Sequence, residues 1–251
     1  MTAPRVSIVV ITLDEEDHLR RCLESVAWAD EIVVVDAESH DKTVQIAREF
    51  TDRVISRPWA GFATQKNFAV EQATGDWVLS LDADEEASPE LHHEIAATIA
   101  DPQVRDAYAI RRRNVFLGRW MRYGGLYPDW QVRLFRRRRG RFVERAVHES
   151  VIVEGTRGRL RGHLMHRSYA GVRDFCDRAN RYSSLAADEW IREGRRVGAR
   201  ALVLRPLGRF LSMYVLQRGF LDGRRGLLLA ALYAYYVFMR TAKVWEVTRR
   251  R

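Results

Sequence analysis

The sequence predicts an α/β fold built on a mostly parallel sheet with helices on both faces. In the first hundred residues, short apolar runs rich in Val and Ile alternate with segments whose apolar residues recur at helical spacing. The runs are apolar throughout rather than alternating with polar residues, as in strands that are covered on both faces. At 251 residues and 47% apolar composition, the chain is long enough to bury such a core.

The elements of this first part follow in regular order. The predicted strands are the runs 6–12, 31–39, 53–57 and 77–81. The predicted helices begin at Asp14, span 41–50, span 61–74 and begin at Ser88. The first helix opens with an acidic turn, and the last has a serine N-cap followed by Pro89 at the first helical position. In a parallel sheet of this kind, ligands bind beyond the carboxyl ends of the strands.

Beyond Pro102 the pattern changes to shorter, more basic strands. The predicted strands contain the segments AYAIRR, WQVRLFRR, AVHESVIVEG and LRGHLMH. No linker rich in Pro, Gly or Ser separates them from the first part, so we expect them to extend the same sheet as mixed or antiparallel strands. A long amphipathic helix is predicted over 172–193. We therefore expect one domain over 1–197 and an amphipathic helical extension over 198–251.

Charge is distributed unevenly along the chain. The formal net charge is +9, but residues 1–100 carry 8 basic and 20 acidic side chains, whereas residues 101–251 carry 34 basic and 13 acidic ones. The acidic part suits a nucleotide with a metal ion, and the basic part suits an anionic partner. The arginine-rich stretches lack a nucleic-acid motif and a platform of stacking aromatics. We expect an anionic membrane surface or a phosphorylated acceptor as the partner, and no nucleic acid.

The sequence predicts a cytoplasmic protein on the inner face of the cytoplasmic membrane. Cys22 and Cys176 have neither metal nor redox spacing, and the N-terminal residues lack the features of a signal peptide. The charge-free run 226–239 has 14 residues, whereas a spanning helix needs roughly 20. The apolar, arginine-flanked C-terminal helices are expected to lie in the membrane interface. The alternatives are ordinary core helices or a contact between subunits of a homo-oligomer.

Carboxylates follow two of the predicted strands. Asp36 ends the second strand, and Asp82 and Asp84 follow the fourth. Because parallel strands end at the same edge of a sheet, we expect these side chains to share that edge. Hard cations such as Mg²⁺ or Mn²⁺ take carboxylate oxygens as ligands and would offset the repulsion in this acidic cluster. Glu85 and Glu86 are interpreted as an acidic approach to the next helix.

Four segments of the chain carry a recognisable set of motifs. They are VSIVVITLDEEDHLRRCLESV, EIVVVDAESHDKT, GFATQKNFAVEQATGDWVLSLDADE and YPDWQVRLFRRRRGRF. In their order and spacing over roughly residues 5–150, they resemble inverting family 2 glycosyltransferases of the GT-A fold. The resemblance is greatest to the branch that builds the lipopolysaccharide core. It implies transfer of a sugar from a nucleotide diphosphate sugar, such as a UDP-hexose, to a lipid-linked saccharide of the lipopolysaccharide inner core.

The resemblance also implies roles in binding the sugar nucleotide. Asp36 matches the aspartate that binds the uracil-ribose part, and Thr12, Leu13 and Glu15 match the loop that holds the base. Lys66, or an arginine from the basic part, can stabilise the negative charge of the departing diphosphate.

The metal ligands are expected among the acidic residues after the fourth strand. Asp82 and Asp84 match the D-x-D pair of the family, with Asp84 the more direct ligand of Mg²⁺ or Mn²⁺. His148 is a candidate third ligand, since some enzymes of this fold use a late histidine. His163 and His166 are the other histidines of the late strands, and a hydrogen-bonded structural role is the alternative for each histidine.

Asp129 matches the general base that takes the proton of the acceptor hydroxyl. Glu149 is the alternative base, and Trp130 and Gln131 resemble the aromatic and polar pair of the acceptor site. Two other functions stay open at this point: transfer to a polyprenyl phosphate, and a catalytically silent protein that binds sugar nucleotides or polyanions.

Overall fold

A computed structural model describes residues 3–143, 150–169 and 171–249. The strands are β1 Val6–Thr12, β2 Glu31–Asp36, β3 Val54–Ser56, β4 Trp77–Asp82, β5 Glu85–Ala87, β6 Ala107–Phe116, β7 Arg119–Trp120, β8 Asp129–Arg136, β9 Gly140–Val143, β10 Ser150–Val153 and β11 Arg157–Tyr169. The helices are α1 Leu19–Glu24, α2 Thr43–Arg48, α3 Phe62–Gln72, α4 Pro89–Ala100, α5 Val172–Arg192, α6 Ala201–Leu211 and α7 Gly223–Arg249. The predicted candidates His148 and Glu149 lie outside the described residues.

Within the described residues, nine strands form one sheet and β9 pairs with β10 in a separate hairpin. The sheet runs in the order β3-β2-β1-β4-β8-β6-β11-β5, with β7 paired to β6. The first four strands are parallel, whereas β8 is antiparallel to β4 and β6, and β11 is antiparallel to β5. The predicted α/β class is confirmed, and β6, β8 and β11 extend the same sheet as predicted. The prediction is wrong for the segment AVHESVIVEG, because its described part forms β10, which pairs with β9 outside that sheet.

The core lies in two layers, one on each face of the sheet. Along β1, Ile8 packs into a cluster with Leu23 of α1 and Leu91 of α4, whereas Val9 packs into a second cluster with Ala69 of α3. Successive side chains of a strand point to opposite faces, so an all-apolar strand supplies both layers. The expectation of helices on both faces is therefore confirmed.

The segment after β4 differs from its prediction. Glu85 does not lie on an exposed approach to a helix but on the short strand β5, where it pairs with His166 of β11 and has a fully buried side chain. The interpretation of Glu85 as an acidic helix approach is wrong, because antiparallel pairing with β11 draws the segment into the sheet. The helix itself starts as predicted, since Ser88 Oγ accepts a hydrogen bond from Leu91 N at 3.3 Å and Pro89 follows the cap.

The first helix also begins later than expected. Asp14 has a φ of 53° and lies outside α1, which starts only at Leu19. The acidic residues of this loop bind the loop after β2 instead, because Asp14 Oδ1 accepts from His40 N at 2.8 Å and Glu16 Oε2 accepts from Lys42 N at 3.1 Å. The acidic residues therefore fix two neighbouring loops at one edge of the sheet.

The chain forms two compact units. The first unit contains the residues up to Arg112 together with Asp129–His166, and the second contains Arg113–Pro128 together with the residues from Arg167. The second unit has its own apolar cluster, in which Phe116 and Met121 pack with Phe175 of α5 and Leu229 of α7. The predicted division into a domain over 1–197 and an extension over 198–251 stays a prediction.

The C-terminal extension is helical, as predicted. Within the described residues, the helical stretch Gly219–Arg249, which has 31 residues and joins the 3₁₀ turn Gly219–Asp222 to α7, is long and apolar enough to cross a membrane by length and composition. One third of its most apolar window is buried inside the protein. The expectation of a segment too short to span a bilayer is wrong in length, because the helical stretch from Gly219 to Arg249 is longer than the charge-free run 226–239 that it contains.

Candidate functional site

Three strands of the first unit end side by side at one edge of the sheet. In the parallel register, Thr12 pairs with Asp36 between β1 and β2, and Ile11 pairs with Asp82 between β1 and β4. Asp36 and Asp82 therefore flank the carboxyl end of β1. This is the edge at which ligands bind in open α/β sheets, and the expected meeting of the strand-end carboxylates is found there.

Asp36 is held by neutral hydrogen-bond donors. It is buried, its Oδ1 accepts from Thr12 Oγ1 at 2.8 Å and from Ser39 Oγ at 2.6 Å, and its Oδ2 accepts from Ser39 N at 2.8 Å. In the loop that follows β1, Leu13 is exposed and Glu15 N donates to Thr43 Oγ1 at 2.8 Å. These hydrogen bonds fix the loops that follow β1 and β2. The nucleotide-binding roles of Thr12, Leu13, Glu15 and Asp36 stay predictions.

Asp82 is held by two cations of the chain itself. Its Oδ1 accepts from Lys66 Nζ at 2.7 Å, and its Oδ2 bonds to Arg133 Nη2. Burial by itself raises the pKa of Asp82, but the charges of Arg133 and Lys66 outweigh that effect and hold this pKa well below its ordinary value. Lys66 is almost completely buried, so the pair is a fixed part of the site.

Glu85 extends this ion pair into a network. Arg133 Nη2 also donates to Glu85 Oε1 at 2.6 Å, and Arg112 Nη1 lies 3.4 Å from the same oxygen. Arg112 in turn donates from Nε to Asp129 Oδ2 at 2.8 Å. Lys66, Arg133 and Arg112 thus balance the three carboxylates of Asp82, Glu85 and Asp129. The chain's own cations resolve the repulsion within this part of the acidic cluster.

A β-bulge positions Arg133. Tyr108 pairs with Leu134 and Ala109 pairs with Val132, so Arg133 is an extra residue without a cross-strand partner in β6. Such a bulge re-aims side chains and is common next to active sites. Here it lets Arg133 reach two carboxylates while Leu134 stays in the core.

Asp129 begins β8 directly opposite Arg112 of β6. Arg112 Nε and Nη2 both lie 2.8 Å from Asp129 Oδ2, and Gln131 Nε2 donates to Asp129 Oδ1 at 2.8 Å. The carboxylate is therefore fixed on both oxygens and remains partly exposed, at 22% of its side chain. The structure brings the predicted base and Gln131 together, and their roles stay predictions.

Two guanidinium groups lie close to the ring of Trp130. Arg111 is 5.4 Å from its ring centroid and Arg159 is 4.8 Å from it. Both distances are within the range of cation–π attraction. Trp130 neighbours Asp129 and Gln131 on the strand, but successive residues of a strand point to opposite faces. The structure therefore gives Trp130 different surroundings from Gln131, with which it is paired in the prediction.

Asp84 meets a histidine on β11. His166 Nε2 lies 3.4 Å from Asp84 Oδ2, and both side chains are largely buried. A carboxylate and an imidazole suit Mn²⁺ better than Mg²⁺, which prefers oxygen ligands. Within the described residues, no group of three His, Cys, Asp or Glu side chains could hold a metal by itself. A cation here would need oxygen atoms from a substrate, as is usual for nucleotide-bound Mg²⁺ or Mn²⁺.

The sequence interpretation missed three participants of the site, namely Glu85, Arg112 and Arg133. It named His166 as a histidine of the late strands but did not place it beside Asp84. Alternation along β8 offers a signal for one of them, because Asp129, Gln131 and Arg133 recur at every second position. Arg112 comes from a segment distant in sequence. Glu85 is close to Asp82 in sequence, but the pairing of β5 with β11 is what draws it into the sheet.

The chain belongs to glycosyl transferase family 2, whose pattern matches residues 7–166. It is therefore a glycosyltransferase, and the matched range covers the strand-end carboxylates, the arginine network and the Asp84–His166 pair.

Two relatives extend the likeness over nearly the whole chain. The lipopolysaccharide core biosynthesis glycosyltransferase LpsC of Rhizobium meliloti is 31% identical, over 96% of this chain and 92% of its own length. An uncharacterized glycosyltransferase of Rickettsia typhi is 30% identical, over 97% and 88%. Among solved structures, residues 1–349 of S. aureus TarS align with a TM-score of 0.48 at 17% identity, over 98% of this chain and 91% of that one.

Proposed function

We propose that this glycosyltransferase is an inverting, metal-dependent enzyme that transfers a hexose from a UDP-sugar to a lipid-linked saccharide, the inner core of lipopolysaccharide. The observation that carries the proposal is the likeness to LpsC over 96% of the chain, because that relative is a lipopolysaccharide core glycosyltransferase. The site supports it with carboxylates at the carboxyl ends of β2 and β4, on either side of β1, where a nucleotide would lie.

The reaction is a single displacement at the anomeric carbon. The oxygen of an acceptor hydroxyl forms a bond to that carbon as the bond to the diphosphate oxygen breaks, and the configuration inverts. Asp129 takes the proton of the hydroxyl, and UDP leaves with the electron pair of the broken bond. Arg112 and Gln131 hold the carboxylate of Asp129 in a single orientation, which such proton transfer requires.

Positive charge is available for the leaving diphosphate. Lys66 and Arg133 lie at the end of β4, and the Nε of Arg133 is buried without a hydrogen-bond acceptor among the described residues. A buried donor of this kind is costly unless a ligand satisfies it. A diphosphate oxygen would do so and would gain a fixed, preorganised charge.

The residues present fit a divalent cation. Asp84 and His166 would hold it, and Asp82 is close by but already bound to two side-chain cations. When bound, the ion supplies positive charge that stabilises the departing diphosphate. We assign the histidine position to His166, whereas His148 lies outside the described residues.

Replacing Asp129 by Asn tests the chemistry. We expect wild-type protein with Mn²⁺ to release UDP from one member of a panel of UDP-hexoses only when lipopolysaccharide core oligosaccharide is added. Asp129→Asn removes the base and should lower this rate at least about 10²-fold, while UDP still raises the melting temperature of the variant. The matched control Asp52→Asn makes the same chemical change at an exposed position and should keep wild-type turnover.

Three results would contradict the proposal in different ways. Near-normal turnover of Asp129→Asn would remove Asp129 as the base. Transfer to a polyprenyl phosphate but to no saccharide would replace the acceptor. A protein that UDP-sugars stabilise but that never releases UDP would be a binding protein without this activity.

We also propose that the protein lies on the inner face of the cytoplasmic membrane through α6. This helix has no buried residue, and Val203, Leu204 and Leu207 expose 66%, 63% and 49% of their surface. Exposed apolar residues beside arginines suit the interface of an anionic leaflet. In flotation with phosphatidylglycerol vesicles, Leu204→Ser should reduce the fraction of protein bound to the vesicles. The control Leu185→Ser on α5 should not reduce it. Equal binding of both variants would contradict α6 as the membrane contact.

A further inference from the structure

The second unit contains a cavity that the proposed chemistry does not use. It has a volume of about 420 Å³, which is within the usual range for small-molecule sites. Its lining residues are Arg119, Trp120, Arg122, Tyr123, Leu221 and Asp222. One wall is therefore the hairpin of β6 and β7 with the loop that follows it, and the other is the short 3₁₀ turn Gly219–Asp222.

Both walls of the cavity are held in place. The hairpin turns at Leu117 and Gly118, whose φ values of 47° and 73° suit a tight two-residue β-turn. Asp222 is buried, and its Oδ2 accepts hydrogen bonds from Arg122 N at 3.0 Å and Tyr123 N at 2.9 Å. The cavity is thus preformed, which lowers the entropic cost of binding a ligand.

The cavity presents ordered positive charge. Arg113 and Arg122 stack on Trp120, with 4.4 Å and 4.5 Å between guanidinium carbon and ring centroid. Stacking fixes the plane of a guanidinium and leaves its N–H groups available for hydrogen bonds. In the part of the chain that the structure describes, Arg119 and Arg122 form no ion pair with a carboxylate. An oxyanion that binds both arginines in the plane of their N–H groups would satisfy them.

The other lining groups indicate more than a bare anion. Asp222 would repel a lone phosphate, but its Oδ1 accepts no hydrogen bond within the described residues and suits a hydroxyl donor. Trp120 Nε1 is a buried donor without an acceptor among the described residues, and Leu221 supplies an exposed apolar surface. A ligand with one anionic group, several hydroxyls and an apolar face meets all of these requirements.

We infer that this cavity binds an anionic sugar, that is, a saccharide unit that carries a phosphate or a carboxylate. Its arginines bind the anionic group, and Asp222 accepts from a sugar hydroxyl. The assignment of the cavity as a subsite for the saccharide acceptor rests on the proposed function. The binding of an anionic sugar in the cavity does not depend on it.

Sugar titrations of the full-length protein without nucleotide test the inference. The probes are glucose 6-phosphate, glucuronic acid, glucose and inorganic phosphate, and the readout is the Kd from isothermal titration calorimetry. We expect the two anionic sugars to bind more tightly than either glucose or phosphate. Arg122→Gln removes a charged donor and should raise the Kd for glucose 6-phosphate about tenfold or more. Arg119→Gln on β7 should raise it as well, and it serves as the second variant if Arg122→Gln does not fold.

The matched control is Arg196→Gln, which removes the same charge from an exposed position of the second unit and should leave the Kd unchanged. Equal affinity of the wild type for glucose and glucose 6-phosphate, or equal affinity of wild type and both cavity variants, would overturn the inference.

Vesicles of phosphatidylglycerol form a separate arm of the test. If both cavity variants lose vesicle binding while no soluble anionic sugar binds, the cavity is a lipid headgroup site and the inference is wrong. Sugar binding without any UDP release by the wild type would overturn the proposed function and leave the cavity standing.

Discussion

The two carboxylates that flank the end of β1 are held in opposite ways. Asp36 receives three hydrogen bonds from neutral donors of Thr12 and Ser39. Asp82 is bonded to the ammonium group of Lys66 and the guanidinium group of Arg133. Both aspartates end parallel strands of the same sheet, so the difference comes from their partners and not from the backbone.

The difference indicates different tolerance to change at the two positions. A carboxylate that accepts from several neutral donors keeps its other hydrogen bonds when one donor is removed. In a buried charge network, removal of one ion leaves the oppositely charged partners buried without a compensating charge. We therefore expect the Asp82 region to respond more strongly to substitution than the Asp36 region.

The largest expected effect is that of Arg133→Met. Among the described residues, this change leaves the fully buried Glu85 with the more distant Arg112 as its cationic partner, and leaves Asp82 with Lys66. The free energy of unfolding should fall by about 3–5 kcal/mol, as for other broken buried ion networks. Urea denaturation at pH 7 measures it. Arg138→Met, at an exposed position two residues beyond β8, is the matched control and should change stability by less than about 0.5 kcal/mol. A similar loss in both variants would contradict the network.

A smaller, pH-dependent effect is expected for Asp82→Asn. The pKa of Asp82 in the folded protein lies well below its ordinary value, whereas the unfolded chain has a pKa of about 3.9. The stability that ionised Asp82 contributes is therefore complete above about pH 4 and is lost as the pH falls through the folded-state pKa. The variant should be less stable than the wild type at pH 7 by about 1–3 kcal/mol. The difference should shrink on acidification; a constant difference from pH 7 to pH 2 would contradict the pKa shift.

The smallest effect is expected for Thr12→Val on the neutral side. The substitution keeps the β-branched shape of Thr12 but removes one donor to Asp36, whose other bonds from Ser39 remain. The free energy of unfolding should fall by about 0.5–1.5 kcal/mol, the net value of one hydrogen bond. Calorimetric melting at pH 7 checks it. A loss as large as that of Arg133→Met would remove the contrast between the two aspartates.

The sequence was sufficient to predict where the aspartates meet but not what they bind. Position follows from local signals, because apolar strands separated by helices form a parallel sheet whose carboxyl ends share one edge. The partners follow from distant pairings: Arg133 is 51 residues from Asp82, and Arg112 is 27 residues from Glu85. Alternation along β8 groups Arg133 with Asp129 and Gln131, but no periodicity within a strand indicates which carboxylates Arg133 and Arg112 bind.

Strand β5 shows a second limit of local interpretation. Its sequence, Glu-Glu-Ala, consists of residues that are depleted in strands, and acidic residues before a capped helix are a common signal. Pairing with β11 and the buried ion pairs of Glu85 outweigh that local preference. Tertiary contacts therefore decide the structure of the segment that follows the most recognisable motif.

The bulge at Arg133 divides β8 into two parts of opposite phase. Val132 and Phe135 pack into the same core layer although they are three residues apart, an odd separation that an uninterrupted strand would place on opposite faces. Deletion of one residue here would restore the regular alternation of side chains along β8. It would also turn one part of the strand to the wrong face of the sheet, either Asp129 and Gln131 or Leu134 and Phe135. The single inserted position thus allows one strand to carry a polar site at its start and a two-layer core at its end.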